Sequence, residues 1–142
     1  MNAYYFDMDG TIADLYGVNG WLDDLIARNT RPYNEAKPML NMQVLARKLN
    51  KAQKQGAKIG IISWLPKNST DSYNKAVEKA KRKWLKKHLK SVNFDEIIIV
   101  PYGTPKHLVA TYNGILYDDE QPNRDKWDKG CAYAPSEILK KI

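Results

Sequence analysis

The chain has 142 residues, 43% hydrophobic and 27% charged, the size and balance of one globular domain with its own core. No apolar run approaches the roughly 20 residues that span a bilayer, no basic stretch followed by a long apolar one opens the chain, and the single cysteine, Cys131, excludes an internal disulfide. These features predict a cytoplasmic protein with no membrane partner.

The formal charge is +7, and it is uneven. Between Arg47 and Lys90 only Asp71 and Glu78 oppose the basic residues, whereas Asp118, Asp119, Glu120, Asp125 and Asp128 make the last third acidic. A basic face attracts nucleic acid or a phosphorylated substrate. It serves equally well as a solvated lysine-rich helix face that keeps a protein in solution.

In chain order, Ala3 to Phe6 is apolar and aromatic and runs into an acidic turn, the pattern of a buried strand with polar groups at its C-terminal end. Residues 15–38 are irregular, broken by Gly17, Gly20, Pro32 and Pro38, with one short helix at Trp21, Leu22, Leu25 and Ile26. Met39 to Gln55 reads as an amphipathic helix, with Leu40, Val44, Leu45 and Leu49 on one face and Gly56 as its stop. Ala57 to Ser63 is β-branched and predicts a second strand. Ser69, Thr70 and Asp71 offer caps for a long basic helix over 72–89, with an apolar stripe of Ala76, Ala80, Trp84, Leu85 and Leu89. Glu96 to Val100 is a third strand, Thr104-Pro105-Lys106 opens a short helix, and Gly114 to Tyr117 is a fourth strand. Pro122 to Lys129 forms a helical turn, Cys131 to Tyr133 a fifth short strand, and Ser136 to Lys141 a terminal helix.

Strands alternating with helices argue for an α/β fold with a parallel sheet covered on both faces. Binding crevices in such sheets lie beyond the carboxyl ends of the strands. Asp7 follows the first strand, Ser63 the second, and Asp118 and Asp119 the fourth, while Lys106 follows the third. Aspartates 7, 9, 118 and 119 gathered in one place carry too much charge to pack unless a cation joins them or some of them are protonated; the cation is the cheaper solution, and magnesium prefers such hard oxygen ligands. A calcium-binding EF-hand is excluded: with Gly10 at the sixth loop position, the first and twelfth fall on Tyr5 and Tyr16. Each residue also has a plainer reading, Asp118-Asp119-Glu120 as a solvated turn, Ser63 as a strand end and Lys106 as surface. His88 and His107 lack metal-ligand spacing and read as structural or surface, and Cys131 reads as a small buried residue.

The run Phe6-Asp7-Met8-Asp9-Gly10-Thr11 resembles the first motif of the haloacid dehalogenase superfamily, whose phosphatases carry Asp-x-Asp-Gly-Thr after an apolar strand. Ser63 is similar to the second motif, Lys106 to the third and Asp118-Asp119 to the acidic fourth, in the expected order over nearly the whole chain. The resemblance implies a three-layer, Rossmann-like fold with a parallel sheet of about five strands and a minimal or absent cap. It makes residues 1–142 one hydrolase domain, with residues 15–38 as a small cap-like insertion. It also implies a Mg2+-dependent phosphatase. Asp7 would be the nucleophile that forms an aspartyl-phosphate, and Asp9 the general acid and base. The metal would sit on the Asp7 carboxylate, the Asp9 carbonyl and Asp119, with Asp118 close by. Ser63 and Lys106 would hold the phosphoryl oxygens, Thr11 and Trp64 would complete the substrate site, and Thr11 would brace Asp9.

Two further runs are similar to the 5'(3')-deoxyribonucleotidase family, whose members act on nucleoside monophosphates. They are Lys81 to Leu89 with Glu96 to Pro101, and Ile115 to Asn123 with Trp127. Those enzymes carry a larger helical cap than residues 15–38 provide. Tyr16, Trp21 and Tyr33 are available to stack on a base, and Trp21 is equally a core residue. Two other readings stay open: a phosphatase for polynucleotide ends or phosphoproteins, using the basic helix 72–90, and a non-catalytic module that holds magnesium and phosphate.

Overall fold

The structure, a computed structural model, describes residues 2–142. Its strands are β1 Ala3–Phe6, β2 Ala13–Asp14, β3 Lys37–Pro38, β4 Lys58–Trp64, β5 Glu96–Val100, β6 Gly114–Tyr117 and β7 Ala132–Tyr133. The helices are α1 Trp21–Ile26, α2 Arg31–Glu35, α3 Met42–Lys54, α4 Asp71–His88, α5 Lys106–Val109 and α6 Gln121–Lys126, with short 3-10 helices at Leu15–Gly17 and Pro135–Lys140.

Five strands form one parallel sheet in the order β5-β4-β1-β6-β7, the α/β architecture expected from the alternating pattern. β1 lies at the centre, Ala3 pairing with both Lys58 and Gly114, and Phe6 with both Ile61 and Tyr117. From β1 the chain travels outward through β4 and β5, then returns past β1 to build β6 and β7. The direction reverses between β1 and β6, and at such a switch point the loops diverge and leave a crevice. Asp7 and Asp118 stand at that reversal.

Side chains alternate across the strands. Phe6, Ile59, Ile61 and Tyr117 face one core with Leu45 and Leu49 of α3 and Trp84 and Leu85 of α4. Tyr5, Ile62 and Leu116 face the other, closed by Ala110 and Trp127. A third cluster of Leu15, Tyr33, Leu65, Tyr73, Val77 and Ala80 joins α4 to the 15–38 segment.

Several sequence expectations are corrected. α3 begins at Met42 rather than Met39, because the Asn41 side chain accepts from the Val44 amide and caps the helix there. The stripe of α4 runs through Tyr73, Val77, Ala80, Lys81, Trp84 and Leu85. Ala76 lies on the solvent side, since Thr70 caps the helix and fixes its phase from Tyr73 onward. The Ser136–Lys141 helix is the 3-10 helix Pro135–Lys140. Cys131 is exposed; it precedes β7, a two-residue strand at the edge of the sheet. Within residues 15–38 lie two short helices rather than one, and the antiparallel pair Ala13–Pro38 and Asp14–Lys37 ties the ends of the segment together. Among the described residues no helix is long and apolar enough to cross a membrane.

Candidate active site

The site begins where β1 stops. The Asp7 amide still donates to the Tyr117 carbonyl at 2.9 Å, so the strand delivers this carboxylate rigidly to the crevice. A tight turn follows, in which the Met8 carbonyl accepts from the amides of Thr11, Ile12 and Ala13. Gly10 sits at a φ of 81°, and a Cβ there would run into the carboxylate of Asp119. The glycine of the motif therefore meets both a left-handed backbone and a close approach.

Lys106, first residue of α5, reaches in beside β1. Its Nζ donates to Asp7 Oδ1 at 2.8 Å and to Asp118 Oδ2 at 2.7 Å, and all three side chains are largely sealed from solvent. Asp118 also accepts from the Glu120 amide on Oδ1 and from Asn123 Nδ2 on Oδ2, while Arg124 donates to its carbonyl at 2.8 Å. Thr11, expected to brace Asp9, instead donates to Asp7 Oδ2 at 2.9 Å and accepts from the Asp119 amide at 3.1 Å. The turn that follows Asp9 carries the threonine back over β1, so its hydroxyl meets the carboxylates of Asp7 and Asp119.

One carboxylate oxygen from each of Asp7, Asp118 and Asp119 lies within 4.8 Å of the others. Desolvation, with the nearby charges of Asp7 and Asp118, pushes Asp119 up to about 7. Desolvation likewise raises Asp118, the charge of Asp7 adding to it and Lys106 opposing. Burial alone would lower the Lys106 ammonium, but Asp7 and Asp118 outweigh it and hold it above its ordinary value. Three carboxylates against one ammonium leave a formal charge of two minus, which a single divalent cation cancels. The donors are hard oxygens, as magnesium requires. The Asp9 side chain stands apart from this group.

Asp9 is instead bound to a residue that composition had hidden. Lys81 Nζ donates to Asp9 Oδ2 at 2.9 Å, to Ser63 Oγ at 2.6 Å and to the Trp64 carbonyl at 2.7 Å, with the Tyr33 ring 5.4 Å away. Lys81 is only 1% exposed. Burial raises the Asp9 carboxyl, against the pull of Lys81. The signal lay in spacing: Lys81 follows Val77 by one helical turn and precedes Trp84 by nearly another, on the buried stripe.

Above these groups opens a cleft of about 530 Å³, within the range of small-ligand sites. Asp7, Asp9, Lys106, Asp118 and Asp119 form its floor, and Tyr16, Trp21, Leu22, Ile26, Trp64 and Tyr102 its walls. Trp64 and Tyr102 pack with centroids 5.0 Å apart, as do Tyr16 and Trp21 at 4.9 Å. Tyr33 also touches the cleft, but it is only 4% exposed and packs mainly in the core beneath. Ser63 and Thr11 are buried just behind the lining.

No protein-family model matches the chain, and no curated protein matches it in sequence. Among solved structures, it is similar to a crystal structure of D,D-heptose 1,7-bisphosphate phosphatase from Burkholderia thailandensis. The likeness has a TM-score of 0.51 at 10% identity and covers 88% of this chain and 70% of the other. At that identity the likeness establishes the fold alone, an α/β arrangement around a five-stranded parallel sheet.

Proposed function

We propose that the protein is a Mg2+-dependent phosphomonoesterase acting through an aspartyl-phosphate on Asp7, with nucleoside monophosphates as its substrate class. The observation that carries this reading is the convergence of Asp7, Lys106, Asp118 and Asp119 at the switch point of the sheet, beneath an open cleft.

Magnesium held by Asp7, Asp118 or Asp119 and the Asp9 carbonyl would supply charge neutralisation for the phosphoryl group. The chain's own residues do the rest. Lys106 has three N–H donors and uses two of them on Asp7 and Asp118, so the third is available to a phosphoryl oxygen. The Ser63 hydroxyl, accepting from Lys81, has its own hydrogen free to donate. An Asp7 oxygen attacks phosphorus as the ester P–O bond breaks, and Asp9 gives its proton to the departing alkoxide. Asp9 then takes a proton from water, whose oxygen attacks phosphorus. The Asp7–phosphorus bond breaks, and inorganic phosphate leaves with the Asp7 carboxylate restored.

The nucleotide part of the reading draws on the walls. Paired aromatic rings at Trp64 and Tyr102, and at Tyr16 and Trp21, offer flat faces, and stacking a base on one contributes about 1–3 kcal/mol. The narrower resemblance to 5'(3')-deoxyribonucleotidases belongs to this proposal. A second reading, polynucleotide ends, is favoured by the exposed lysines 75, 79, 83, 86, 87 and 90 on and just after α4.

Phosphate release would be measured from nucleoside monophosphates, a 5'-phosphorylated oligonucleotide and p-nitrophenyl phosphate, with and without magnesium. The proposal expects magnesium-dependent turnover that is fastest on a mononucleotide and only mildly salt-sensitive. Fastest turnover on the oligonucleotide, with steep loss at higher salt, would transfer the assignment to the second reading. Failure to turn over any phosphoester would leave a binding module.

A further inference from the structure

Two buried lysines serve the site, and their hydrogen-bond inventories differ. Lys106 spends two donors on protein and lines the cleft. Lys81 spends all three, on Asp9, Ser63 and the Trp64 carbonyl, and it does not line the cleft. An ammonium has only three donors, so Lys81 has none to offer a ligand. Its work must pass through the groups it holds.

Those groups are well placed to transmit it. The Asp9 side chain makes its one hydrogen bond through Oδ2, to Lys81, which leaves Oδ1 without a partner among the described residues while Asp9 lines the cleft. Ser63 Oγ accepts from the same nitrogen, so its hydrogen points elsewhere. Stability alone gives little reason for the arrangement. Lys81 occupies a slot on the apolar stripe of α4, next to Ala80 and one turn from Val77 and Trp84. A hydrophobic residue in such a slot costs less than a buried ion pair.

We propose that Lys81 is a positioning residue, whose one ammonium, anchored on the Ser63 hydroxyl and the Trp64 carbonyl behind the lining, holds the Asp9 carboxylate in register so that its free oxygen faces the substrate. The inference rests on the phosphomonoesterase reading above.

The test compares kcat/KM for an alkyl ester, a nucleoside monophosphate, with that for p-nitrophenyl phosphate, whose leaving group departs without a proton. Lys81→Met is expected to lower the alkyl value at least about a hundredfold, the scale of general-acid catalysis, and the aryl value by less than about a tenth of that factor. In an Asp9→Asn background the same substitution is expected to add less than about threefold, because residues acting as a unit are not additive. Lys81→Gln, which keeps neutral N–H donors, is expected to recover part of the alkyl rate and serves if Lys81→Met does not fold. Equal losses on both esters, or full additivity with Asp9→Asn, would overturn the proposal. So would unfolding of both variants, which would make the lysine purely structural. If the parent protein hydrolyses neither ester, the phosphomonoesterase reading itself has failed and this inference falls with it.

Discussion

At the floor of the cleft, Asp7, Asp118 and Lys106 are nearly closed to solvent and joined at 2.7–2.8 Å. Along the wall, Leu22, Ile26 and Tyr102 leave 53%, 68% and 50% of their surface open. Asp7 and Asp118 directly follow strands β1 and β6, whose backbone bonds tie them to their neighbours, and Lys106 at the start of α5 is held to both by its ammonium. Most of the wall comes from a 3-10 helix, a six-residue helix and the turn after β5, with Trp64 added from the end of β4. Under the proposed function, chemistry that tolerates little displacement would sit on the more buried element, and recognition, which tolerates more, on the more exposed one.

Substitutions sharpen this contrast. The largest effect is expected for Asp7→Asn, since an amide cannot form the acyl-phosphate. Turnover should fall by more than roughly a thousandfold, about 4 kcal/mol of barrier, with an unchanged circular dichroism spectrum; normal rates would remove Asp7 as nucleophile. Lys106→Ala should lower kcat at least about a hundredfold, about 2.7 kcal/mol. It should also destabilise the fold by roughly 3–5 kcal/mol in urea titrations, because it strands buried carboxylates. Loss of rate without loss of stability would mean that the floor is less tightly coupled than its distances imply.

Smaller changes follow at the lip. In the metal-free protein Asp119 is pushed up to about 7 by desolvation and its acidic neighbours, and a ligand carboxylate must shed its proton to bind. Magnesium affinity should therefore be full above that value and fall by about tenfold from roughly pH 8 to roughly pH 6. Calorimetry in buffers of different ionisation enthalpy reads this as proton release; a flat profile would place the metal away from Asp119. The smallest effect is expected from Ile26→Ala on the wall. KM should rise by a few-fold with kcat unchanged, and stability should shift by no more than about 0.5 kcal/mol. A kcat effect as large as that at Lys106 would erase the distinction between floor and wall.

What was legible in the sequence follows the same division. Asp7, Ser63, Lys106 and Asp118 each follow or end a short apolar strand, and strand ends in a parallel sheet are local signals with a known spatial consequence. Lys81 was not legible, because the exposure of a helical lysine depends on the helix's phase. The Thr70 cap and the burial of Tyr73 and Val77 set that phase, and a stripe drawn through Ala76 misses it. The contacts of Thr11 depend on how a turn closes over β1, which residue type alone does not encode. The ribbon joining Ala13–Asp14 to Lys37–Pro38 is too short to carry a periodic pattern.

The central place of β1 also bears on how the molecule is made. Its flanks are filled by distant stretches, since Ala3 pairs with Lys58 on one side and Gly114 on the other. Until the later stretch arrives, one row of amides and carbonyls on β1 stays open to any other extended chain. Such distant pairings slow folding, so recovery from urea should be sluggish and prone to aggregate as concentration rises. A fragment ending before Gly114 should adhere to its own kind rather than stay monomeric.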